Sequence, residues 1–311
     1  MKKSSNKIAI LIPCYNESLT IKKVVNDFKK QLPKADIYVY DNNSSDDTFL
    51  IAKKAGAIVK KEPNQGKGNV VRSMFRDIDA DIYVMVDGDD TYPANEVNKL
   101  IDLVKEGNDM VIGDRLSSTY YTENKRAFHN FGNDLVRWLI NTIFKSNIKD
   151  VMTGYRAFSK KFVKTISVMS PGFQIETELT INSLEYRYNV KSIEIQYKDR
   201  PEGSSSKLNT FKDGFKVLLT LFDMFKDYKP LLFFSIIALI TFIIGLLIGI
   251  PVIHEYNLYQ YVYKVPSAIL ASSLMIVSLL LIILGLILDH QTNIDKKNHE
   301  LLVNKWIENN K

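Results

Sequence analysis

The sequence predicts an α/β protein with a mostly parallel sheet and helices on both faces, followed by an amphipathic helix and two transmembrane helices. Two observations carry this prediction. Short apolar segments rich in Ile, Val and Tyr alternate with amphipathic segments in the N-terminal part of the 311-residue chain, as is typical of parallel sheets whose strands are joined by helices. Two long segments without a charged residue lie near the C-terminus, and each is long enough to cross a bilayer.

The strands and helices alternate along the chain, so the loops after the strands are expected to meet at one edge of the sheet. Ligands of such sheets bind beyond the carboxyl ends of the strands, which makes these loops the candidate site. The predicted strands are 8–12, 37–40, 57–60, 82–86 and 110–113, and the predicted helices lie near 18–30, 46–55, 67–77 and 94–105.

Residues 231–253 and 266–288 each form an uncharged run of 23 residues. About 20 helical residues cross a hydrocarbon core of roughly 30 Å, and soluble helices of this length normally keep a polar face. Two transmembrane helices are therefore favoured over two buried core helices. The connecting segment 254–265 is rich in Tyr, which is expected of a segment at the headgroup boundary.

The distribution of basic residues predicts the orientation of the two spans. Lysines flank the outer ends of both apolar runs, whereas the connecting segment contains only Lys264. By the positive-inside rule both termini are cytoplasmic, and the N-terminus lacks the pattern of a signal peptide. The expected organisation is a cytoplasmic domain at 1–207, an interfacial amphipathic helix at 208–230, two transmembrane helices within 231–288 joined by a short external loop at 254–265, and a cytoplasmic tail at 289–311.

The segment before the first span carries one apolar helical stripe, because Phe and Leu recur at steps of three and four residues. A core helix of the soluble domain would show the same pattern. An interfacial position is favoured because the segment abuts a span and carries lysines on its polar side. The stripe consists of Phe211, Phe215, Leu218, Phe222 and Phe225.

Charge and cysteine content narrow the function classes. The net charge is +6, and residues 231–311 contain five basic and five acidic residues, so the excess lies in residues 1–230. The single cysteine, Cys14, excludes a disulfide scaffold and is expected to be a small apolar filler at a strand end. The sequence contains no H-E-x-x-H, no G-x-S-x-G and no paired Cys/His cluster, so zinc-protease and serine-hydrolase chemistry have no support.

Asp87-Gly88-Asp89 follows the fourth predicted strand. Two carboxylates separated by a glycine can share a hard divalent cation, and Mg²⁺ and Mn²⁺ prefer oxygen ligands that substrate phosphates often complete. A solvated acidic turn is the alternative. The position at a strand end, beside other polar loops, favours the metal site.

Gly66-Lys67-Gly68 follows the third predicted strand, and Asn69 comes next. The full P-loop spacing G-x-x-x-x-G-K-[ST] is therefore absent, which argues against a P-loop ATPase. A lysine and backbone N–H groups at the start of a helix can still bind an anion.

Together these loops resemble those of glycosyltransferase family 2, the inverting enzymes of GT-A fold. The resemblance covers residues 12–17, 41–48, 64–69 and 87–89, which follow in the family's order and spacing. It implies that the first two loops hold the nucleoside and that the aspartates hold Mg²⁺ or Mn²⁺ against the sugar diphosphate. The implied catalytic and metal-binding residues are Asp87 and Asp89, and the implied donor nucleotide-binding residues are Pro13, Tyr15, Glu17, Asp41, Asn43, Lys67 and Asp87.

The chain departs from the family pattern in one loop. Many members have Asp-Asp-Gly-Ser where this chain has Asp41-Asn42-Asn43-Ser44. The first aspartate, which the resemblance assigns to the base, is kept.

A second set of motifs lies at residues 91–94, 113–115, 153–158, 172–179 and 197–207. These motifs narrow the resemblance to the polyprenyl-phosphate glycosyltransferases, the group of the dolichyl-phosphate mannose synthases and the bactoprenol glucosyltransferases. The resemblance implies transfer of one sugar, with inversion, from a nucleotide-sugar to the phosphate of an undecaprenyl-type lipid at the cytoplasmic leaflet. Family frequency favours UDP-glucose or UDP-N-acetylglucosamine, with GDP-mannose as the alternative.

An acceptor phosphate needs cationic positioning more than a general base, because its second pKa is about 6 and much of it is dianionic at neutral pH. Arginine suits forked contacts to phosphate. The resemblance places Arg115 and Arg126 near the lipid phosphate, and Arg200 and Lys207 are assigned to phosphate binding without a choice between the phosphates.

Glu176 and Glu178 are open between a role as base or support of the metal and a role as acidic charges at a helix N-terminus. A sugar nucleotidyltransferase would use a similar acidic site but has little use for two spans, and a processive synthase needs more than two. A membrane-anchored scaffold would not need Lys67 with the two aspartates. No nucleic acid partner is expected, and two spans per chain favour a homo-oligomer.

Overall fold

The computed structural model describes part of the chain in full and two short segments by their backbone alone. The structure describes residues 6–117, 127–201, 203 and 210–310. In residues 127–133 and 210–214 it describes only the backbone. The chain divides into two compact units, one of Met1–Leu221 with Leu302–Lys311 and one of Phe222–Leu301.

The first unit contains a seven-stranded sheet that is mostly parallel, as the sequence predicts. The strands are β1 (Ile8–Cys14), β2 (Asp36–Asp41), β3 (Ile58–Lys61), β4 (Ile82–Met85), β5 (Met110–Asp114), β6 (Arg156–Ser159) and β7 (Val190–Glu194). Their order across the sheet is β3-β2-β1-β4-β6-β5-β7. Strand β6 runs antiparallel to both of its neighbours, and the other pairs are parallel.

The first four helices of this unit follow the strands in the predicted alternation, and three more described helices, which lie outside the predicted ranges, come after β5. They are α1 (Ile21–Gln31), α2 (Thr48–Lys54), α3 (Lys67–Asp77), α4 (Val97–Lys105), α5 (Ala127–Phe144), α6 (Lys160–Thr165) and α7 (Ile175–Glu185). Helix α1 shows why they form, because its buried residues are Ile21, Val24, Val25 and Phe28. Spacings of three, four and seven residues place these side chains on one face, which packs against the sheet.

The sheet is covered on both faces. On one face, Ile10 and Val84 belong to the same buried cluster as Phe28 of α1 and Leu100 of α4. On the other, Phe158 of β6 lies against aromatic rings of α3 and α6, with ring centroids 5.4 Å from Phe75 and 5.2 Å from Phe162. Burial on both faces explains why β1, β4 and β5 are apolar runs without alternation, whereas the edge strand β3 is largely exposed.

Three helices complete the described chain: α8 (Thr210–Tyr228), α9 (Pro230–Tyr259) and α10 (Val265–Asn309). The last two are long and apolar enough to cross a membrane. Helix α10 has 45 residues, or about 67 Å at 1.5 Å per residue. This length is about twice a hydrocarbon core of roughly 30 Å, so the segment expected as a tail continues the second apolar helix.

Helices α9 and α10 pack through small residues. A Cβ atom on Gly249 would lie 3.3 Å from the Cβ atom of Ala271, and one on Gly245 would lie 3.3 Å from that of Leu274. The Ser278 hydroxyl donates a hydrogen bond of 2.9 Å to the carbonyl oxygen of Ala238. Close approach at glycines spaced by four residues, with a hydroxyl bond between helices, is the usual way in which apolar helices associate in lipid.

Candidate active site

The loops after β1 and β2 are joined by hydrogen bonds. The backbone N–H of Asn16 donates to Oγ of Ser44 at 2.9 Å, and the N–H of Ser45 donates to Oδ1 of Asn16 at 2.8 Å. The N–H of Glu17 donates to Oγ1 of Thr48 at 2.8 Å. The two loops that were predicted to hold a nucleoside therefore form one unit at the carboxyl edge of the sheet.

Asp41, the last residue of β2, has a carboxylate oxygen that lacks a partner. The residue is only 2% exposed, and its Oδ1 atom has no hydrogen-bond partner within the part of the chain that the structure describes. A buried carboxylate oxygen without a donor is costly. The atom is therefore suited to accept a hydrogen bond from a ligand. Of the other residues expected at the nucleoside, Tyr15 is exposed, whereas Pro13 and Glu17 are buried.

The two asparagines that depart from the family pattern, at residues 42 and 43, each suit their local conformation and contacts. The Asn42 amide donates to the carbonyl oxygens of Glu62 and Asn64 at 3.0 and 2.8 Å, and its Oδ1 atom accepts the N–H of Gly66 at 2.6 Å. An aspartate would supply no N–H for the two carbonyls. Asn43 has a φ of 62°, a left-handed conformation that Asn adopts more readily than most residues other than Gly.

The glycines of Gly66-Lys67-Gly68 allow a close approach of two backbone segments. A Cβ atom on Gly66 would lie 2.2 Å from the carbonyl oxygen of Pro171, and one on Gly68 would lie 1.9 Å from that of Ser170. The loop therefore needs small residues to contact the chain before α7. Its lysine begins α3.

Lys67 lies between two carboxylates. Its Nζ atom is 2.5 Å from Oδ1 of Asp87 and 2.6 Å from Oε1 of Glu176. Burial disfavours the ammonium, but the two carboxylates outweigh this effect and raise the pKa of Lys67 above its ordinary value. Burial raises the pKa of Glu176, and the charge of Lys67 opposes that change. The three groups form a charged cluster at the edge of the sheet, in which Glu176 is buried and Asp87 is partly exposed.

Each carboxylate oxygen of Asp89 contacts a different side chain. Its Oδ1 atom accepts the hydroxyl of Thr91 at 2.6 Å, and its Oδ2 atom is 2.5 Å from NH2 of Arg200. Burial and the charge of Asp87 raise the pKa of Asp89, whereas Arg200 lowers it. NH1 of Arg200 is 3.9 Å from Oε1 of Glu17. The predicted residues Glu17, Asp89 and Arg200 thus lie together.

The donor set at Asp87 and Asp89 fits a divalent cation. The two aspartates follow β4, and Gly154 leaves room for the first, because a Cβ atom there would lie 2.4 Å from Oδ2 of Asp87. No group of three or more metal-binding side chains occurs among the described residues. A cation held here would therefore take its other ligands from water or phosphate, as Mg²⁺ commonly does.

Arg115, immediately after β5, is fixed by the loop before β6. Its Nε atom donates to Oδ2 of Asp150 at 2.9 Å, its NH2 atom donates to the carbonyl oxygen of Met152 at 3.1 Å, and its guanidinium lies 5.9 Å from the ring centre of Tyr197. Of the other cations expected to bind phosphate, Arg126 and Lys207 lie outside the described residues.

Glu176 and Glu178 have different surroundings. Glu176 contacts Lys67, whereas the two oxygens of Glu178 accept the backbone N–H groups of Met169 and Ser170, both at 2.7 Å. Glu178 therefore anchors the segment that the glycines of the third loop approach. Cys14 is buried in the core cluster, as expected of an apolar filler.

A mostly parallel sheet, with Asp41 at the end of its second strand and an Asp-Gly-Asp turn after its fourth, is the arrangement of a GT-A fold. The chain belongs to glycosyltransferase family 2, because the family model for "Glycosyl transferase family 2" matches residues 9–167. This result confirms the resemblance stated from the loops and identifies the protein as a glycosyltransferase.

Two relatives from Haloferax volcanii and one solved structure illustrate the relationship. "Glycosyltransferase AglJ" is 32% identical over 250 residues, covering 80% of this chain and 82% of the relative. "Dolichyl-phosphate hexose transferase" is 30% identical over 207 residues, covering 67% and 89%. The fold is similar to that of glucosyl-3-phosphoglycerate synthase from Mycobacterium tuberculosis, solved with Mn²⁺, uridine diphosphate and phosphoglyceric acid. The TM-score is 0.59 at 20% identity, covering 72% of this chain and 80% of that one.

Proposed function

We propose that the protein transfers one sugar, with inversion, from a nucleotide-sugar to the phosphate of a polyprenyl lipid at the cytoplasmic leaflet. UDP-glucose and UDP-N-acetylglucosamine are the favoured donors. One relative is named a dolichyl-phosphate hexose transferase, which supports this class of acceptor. The observation that carries the proposal is the pairing of the carboxylates in the site.

Five acidic residues of the site contact a cation. Asp87 and Glu176 share Lys67, Glu17 and Asp89 share Arg200, and Asp150 contacts Arg115. A sugar hydroxyl acceptor needs a general base within reach of its proton. A phosphate monoester has a second pKa of about 6 and is already ionised, so it reacts without one. The ion pairs therefore favour a phosphate as the nucleophile.

The donor side rests on Asp41. A buried carboxylate oxygen without a donor among the described residues can accept an N–H group from the pairing edge of a base, and both uracil and guanine present one. The preference for a UDP-sugar over GDP-mannose rests on family frequency. A sugar nucleotidyltransferase is the less favoured alternative, because two apolar helices serve a lipid acceptor and have no evident use for a soluble sugar phosphate.

Asp87 and Asp89 would hold Mg²⁺ or Mn²⁺, which when bound neutralises the charge that develops on the leaving diphosphate. Lys67 orients Asp87 through its Oδ1 atom, and the hydroxyl of Thr91 orients Asp89. Arg200, at Oδ2 of Asp89, provides positive charge beside these carboxylates for a phosphate group. The metal dependence, the site roles and the choice of cation belong to this proposal.

The membrane arrangement is also part of the proposal. On α8, Phe215 and Phe222 are 63% and 54% exposed, and Leu218 and Leu219 are exposed beside them, whereas Val217 is buried. An exposed apolar stripe supports an interfacial helix over a core helix. We assign residues 1–207 to the catalytic domain, 208–230 to the interfacial helix and the two spans to the range 231–288. Both termini are then cytoplasmic, and the chain assembles into a homo-oligomer.

A donor and acceptor panel tests the proposal. The full-length protein, in Mg²⁺ or Mn²⁺, is incubated with labelled UDP-glucose, UDP-N-acetylglucosamine or GDP-mannose and with polyprenyl phosphate. The matched control is the same polyprenol without its phosphate. We expect labelled lipid from a UDP-sugar with the phosphate alone. Transfer to the free polyprenol would contradict a phosphate acceptor, release of pyrophosphate from a sugar phosphate and UTP would indicate a nucleotidyltransferase, and no turnover would indicate a scaffold.

A further inference from the structure

Arg156, the first residue of β6, carries its guanidinium inside the protein. The side chain is 0% exposed. Its Nε atom donates to the carbonyl oxygen of Thr153 at 3.0 Å, its NH2 atom donates to that of Val151 at 2.5 Å, and its NH1 atom donates to the hydroxyl of Thr180 at 2.9 Å. The guanidinium therefore joins the loop before β6 to helix α7.

Burial of a guanidinium costs free energy unless its hydrogen bonds compensate for the lost contacts with water. The groups that Arg156 contacts by hydrogen bonds are neutral among the described residues. Burial lowers the pKa of Arg156 to about 10, and the more distant carboxylates of Glu176 and Asp150 oppose this change. The residue is thus charged at neutral pH, and its fork makes contacts that an apolar side chain cannot make.

The loop that Arg156 holds contacts both sides of the site. Gly154 lies against the Asp87 carboxylate, since a Cβ atom there would lie 2.4 Å from its Oδ2 atom. Asp150 and the carbonyl oxygen of Met152 bind the guanidinium of Arg115. A shift of this loop would therefore move a donor-side carboxylate and an acceptor-side cation together.

The helix that Arg156 holds reaches the same site. The hydroxyl of Thr180, which accepts from Arg156, also donates to the carbonyl oxygen of Glu176 at 2.9 Å. Glu176 in turn contacts Lys67. Thr180 is therefore the point at which the guanidinium meets the turn of α7 that carries the buried carboxylate.

We propose that Arg156 is a positioning residue that ties residues 151–154 to α7 and thereby sets the placement of Asp87 relative to Arg115. The inference rests on the proposed function, which assigns Asp87 to the donor and Arg115 to the acceptor phosphate. Arg156 itself touches neither substrate, since it is fully buried.

The test compares Arg156→Met and Arg156→Lys with a matched control, Lys164→Met, in the full-length protein. Lys164 also donates to two carbonyl oxygens, those of Phe75 and Ile78, at the opposite end of α3 from Lys67. The measurements are the melting temperature, the Kd of UDP with Mn²⁺ by calorimetry, and kcat and KM for donor and polyprenyl phosphate. A merely structural role would lower the melting temperature without changing these constants.

We expect Arg156→Met to raise the Kd of UDP with Mn²⁺ and the KM of the lipid by about tenfold each, the effect of one charge-assisted contact. Arg156→Lys, which keeps the charge but loses the fork, should fall between this variant and the wild type. Lys164→Met should leave both constants within about twofold. Unchanged constants in Arg156→Met, or equal changes in Lys164→Met, would overturn the proposal.

Two further arms cover the remaining outcomes. If Arg156→Met does not fold, Thr180→Val removes only the hydroxyl at the centre of the contact and should shift the same constants in the same direction, whereas no shift would overturn the proposal. If the wild type transfers no sugar to polyprenyl phosphate, the proposed acceptor is wrong, but the binding of UDP with Mn²⁺ still reports whether Arg156 positions Asp87.

Discussion

The Nζ atom of Lys67 lies 2.6 Å from Oε1 of Glu176, a residue 109 positions further along the chain. The contact joins the first turn of α3 to the first turn of α7, and Asp87 completes it from the end of β4. One ammonium thus compensates two carboxylates, of which that of Glu176 is buried and that of Asp87 is partly exposed. This arrangement makes Lys67 the residue on which the charge balance of the donor site depends.

We expect Lys67→Met to lower the free energy of unfolding by about 3–5 kcal/mol, because the loss of one member of a buried ion cluster leaves the others without counter-charge. The pH dependence supplies a second check. Burial opposes the charge on Lys67, but Asp87 and Glu176 raise its pKa in the folded state. The stabilisation is therefore fully present below the unfolded-state pKa of about 10.4 and is lost as the pH rises above it.

Chemical denaturation of wild type and Lys67→Met across this pH range is the measurement. The difference in free energy of unfolding should narrow above a pH of about 10.4, since only the wild type then loses the proton of Lys67. A difference that widens at alkaline pH would contradict the ion cluster.

The second prediction concerns the metal. Asp89→Asn keeps the bond to Thr91 but removes a negative charge from the Asp-Gly-Asp turn. We expect binding of UDP in the presence of Mn²⁺ to weaken about ten- to a hundredfold, as for a charge-assisted contact, and transfer to be lost. The matched control is Asp90→Asn, since Asp90 contacts Lys23 at 2.7 Å and has a left-handed φ of 61°, which Asn tolerates.

Calorimetry with and without Mn²⁺ separates the two variants. Asp90→Asn should bind as the wild type does. Equal weakening in both variants would mean that general surface charge, and no specific metal ligand, is responsible.

The third prediction concerns the loop that departs from the family pattern. Asn42→Asp would turn carboxylate oxygens toward the carbonyls of Glu62 and Asn64, which now accept N–H groups. We expect the free energy of unfolding to fall by about 1–3 kcal/mol, the cost of unsatisfied buried polar groups, and UDP to bind more weakly. Asn108→Asp is the control, because the Asn108 amide also donates to a carbonyl oxygen, that of Leu103 at 2.7 Å, outside the candidate site. Equal weakening of UDP binding by the two substitutions would contradict the role given to Asn42.

The part of the fold that could be predicted is the part with a local signal. Strands β1, β4 and β5 are buried apolar runs, whereas β3 is a largely exposed edge strand with only Ile and Val as its signal. The loops after the strands carry the motifs. Strand β6, by contrast, begins with Arg156, a charged residue that normally indicates a surface position. Its burial depends on acceptors at Val151, Thr153 and Thr180, so it could not be inferred from the periodicity of the chain.

The site residues divide in the same way. The sequence predicts Asp87 and Asp89 from their place just after a strand, and the family resemblance implies the role of Asp41. The contact between Lys67 and Glu176 was not predicted, since no local pattern relates residues so far apart in the sequence. The glycines beside Lys67 have a role that the sequence did not indicate. The sequence indicates a loop that can bind an anion, and the structure adds that these glycines leave room for the backbone at Pro171.

The final prediction tests the acceptor side. Arg115 donates from Nε to Asp150 and from NH2 to the carbonyl oxygen of Met152, so a lysine would keep the charge but lose one of these two bonds and the planar fork. We expect Arg115→Lys to raise the KM of polyprenyl phosphate about tenfold and to leave the Kd of UDP within about threefold, because the nucleoside loops lie elsewhere on the sheet edge.

Arg137→Lys is the control, since Arg137 forms a surface pair with Asp134 on α5, and such pairs contribute little. Steady-state kinetics with varied lipid and calorimetry with UDP are the measurements. Weaker UDP binding with an unchanged lipid KM would place Arg115 on the donor side and reverse its assignment.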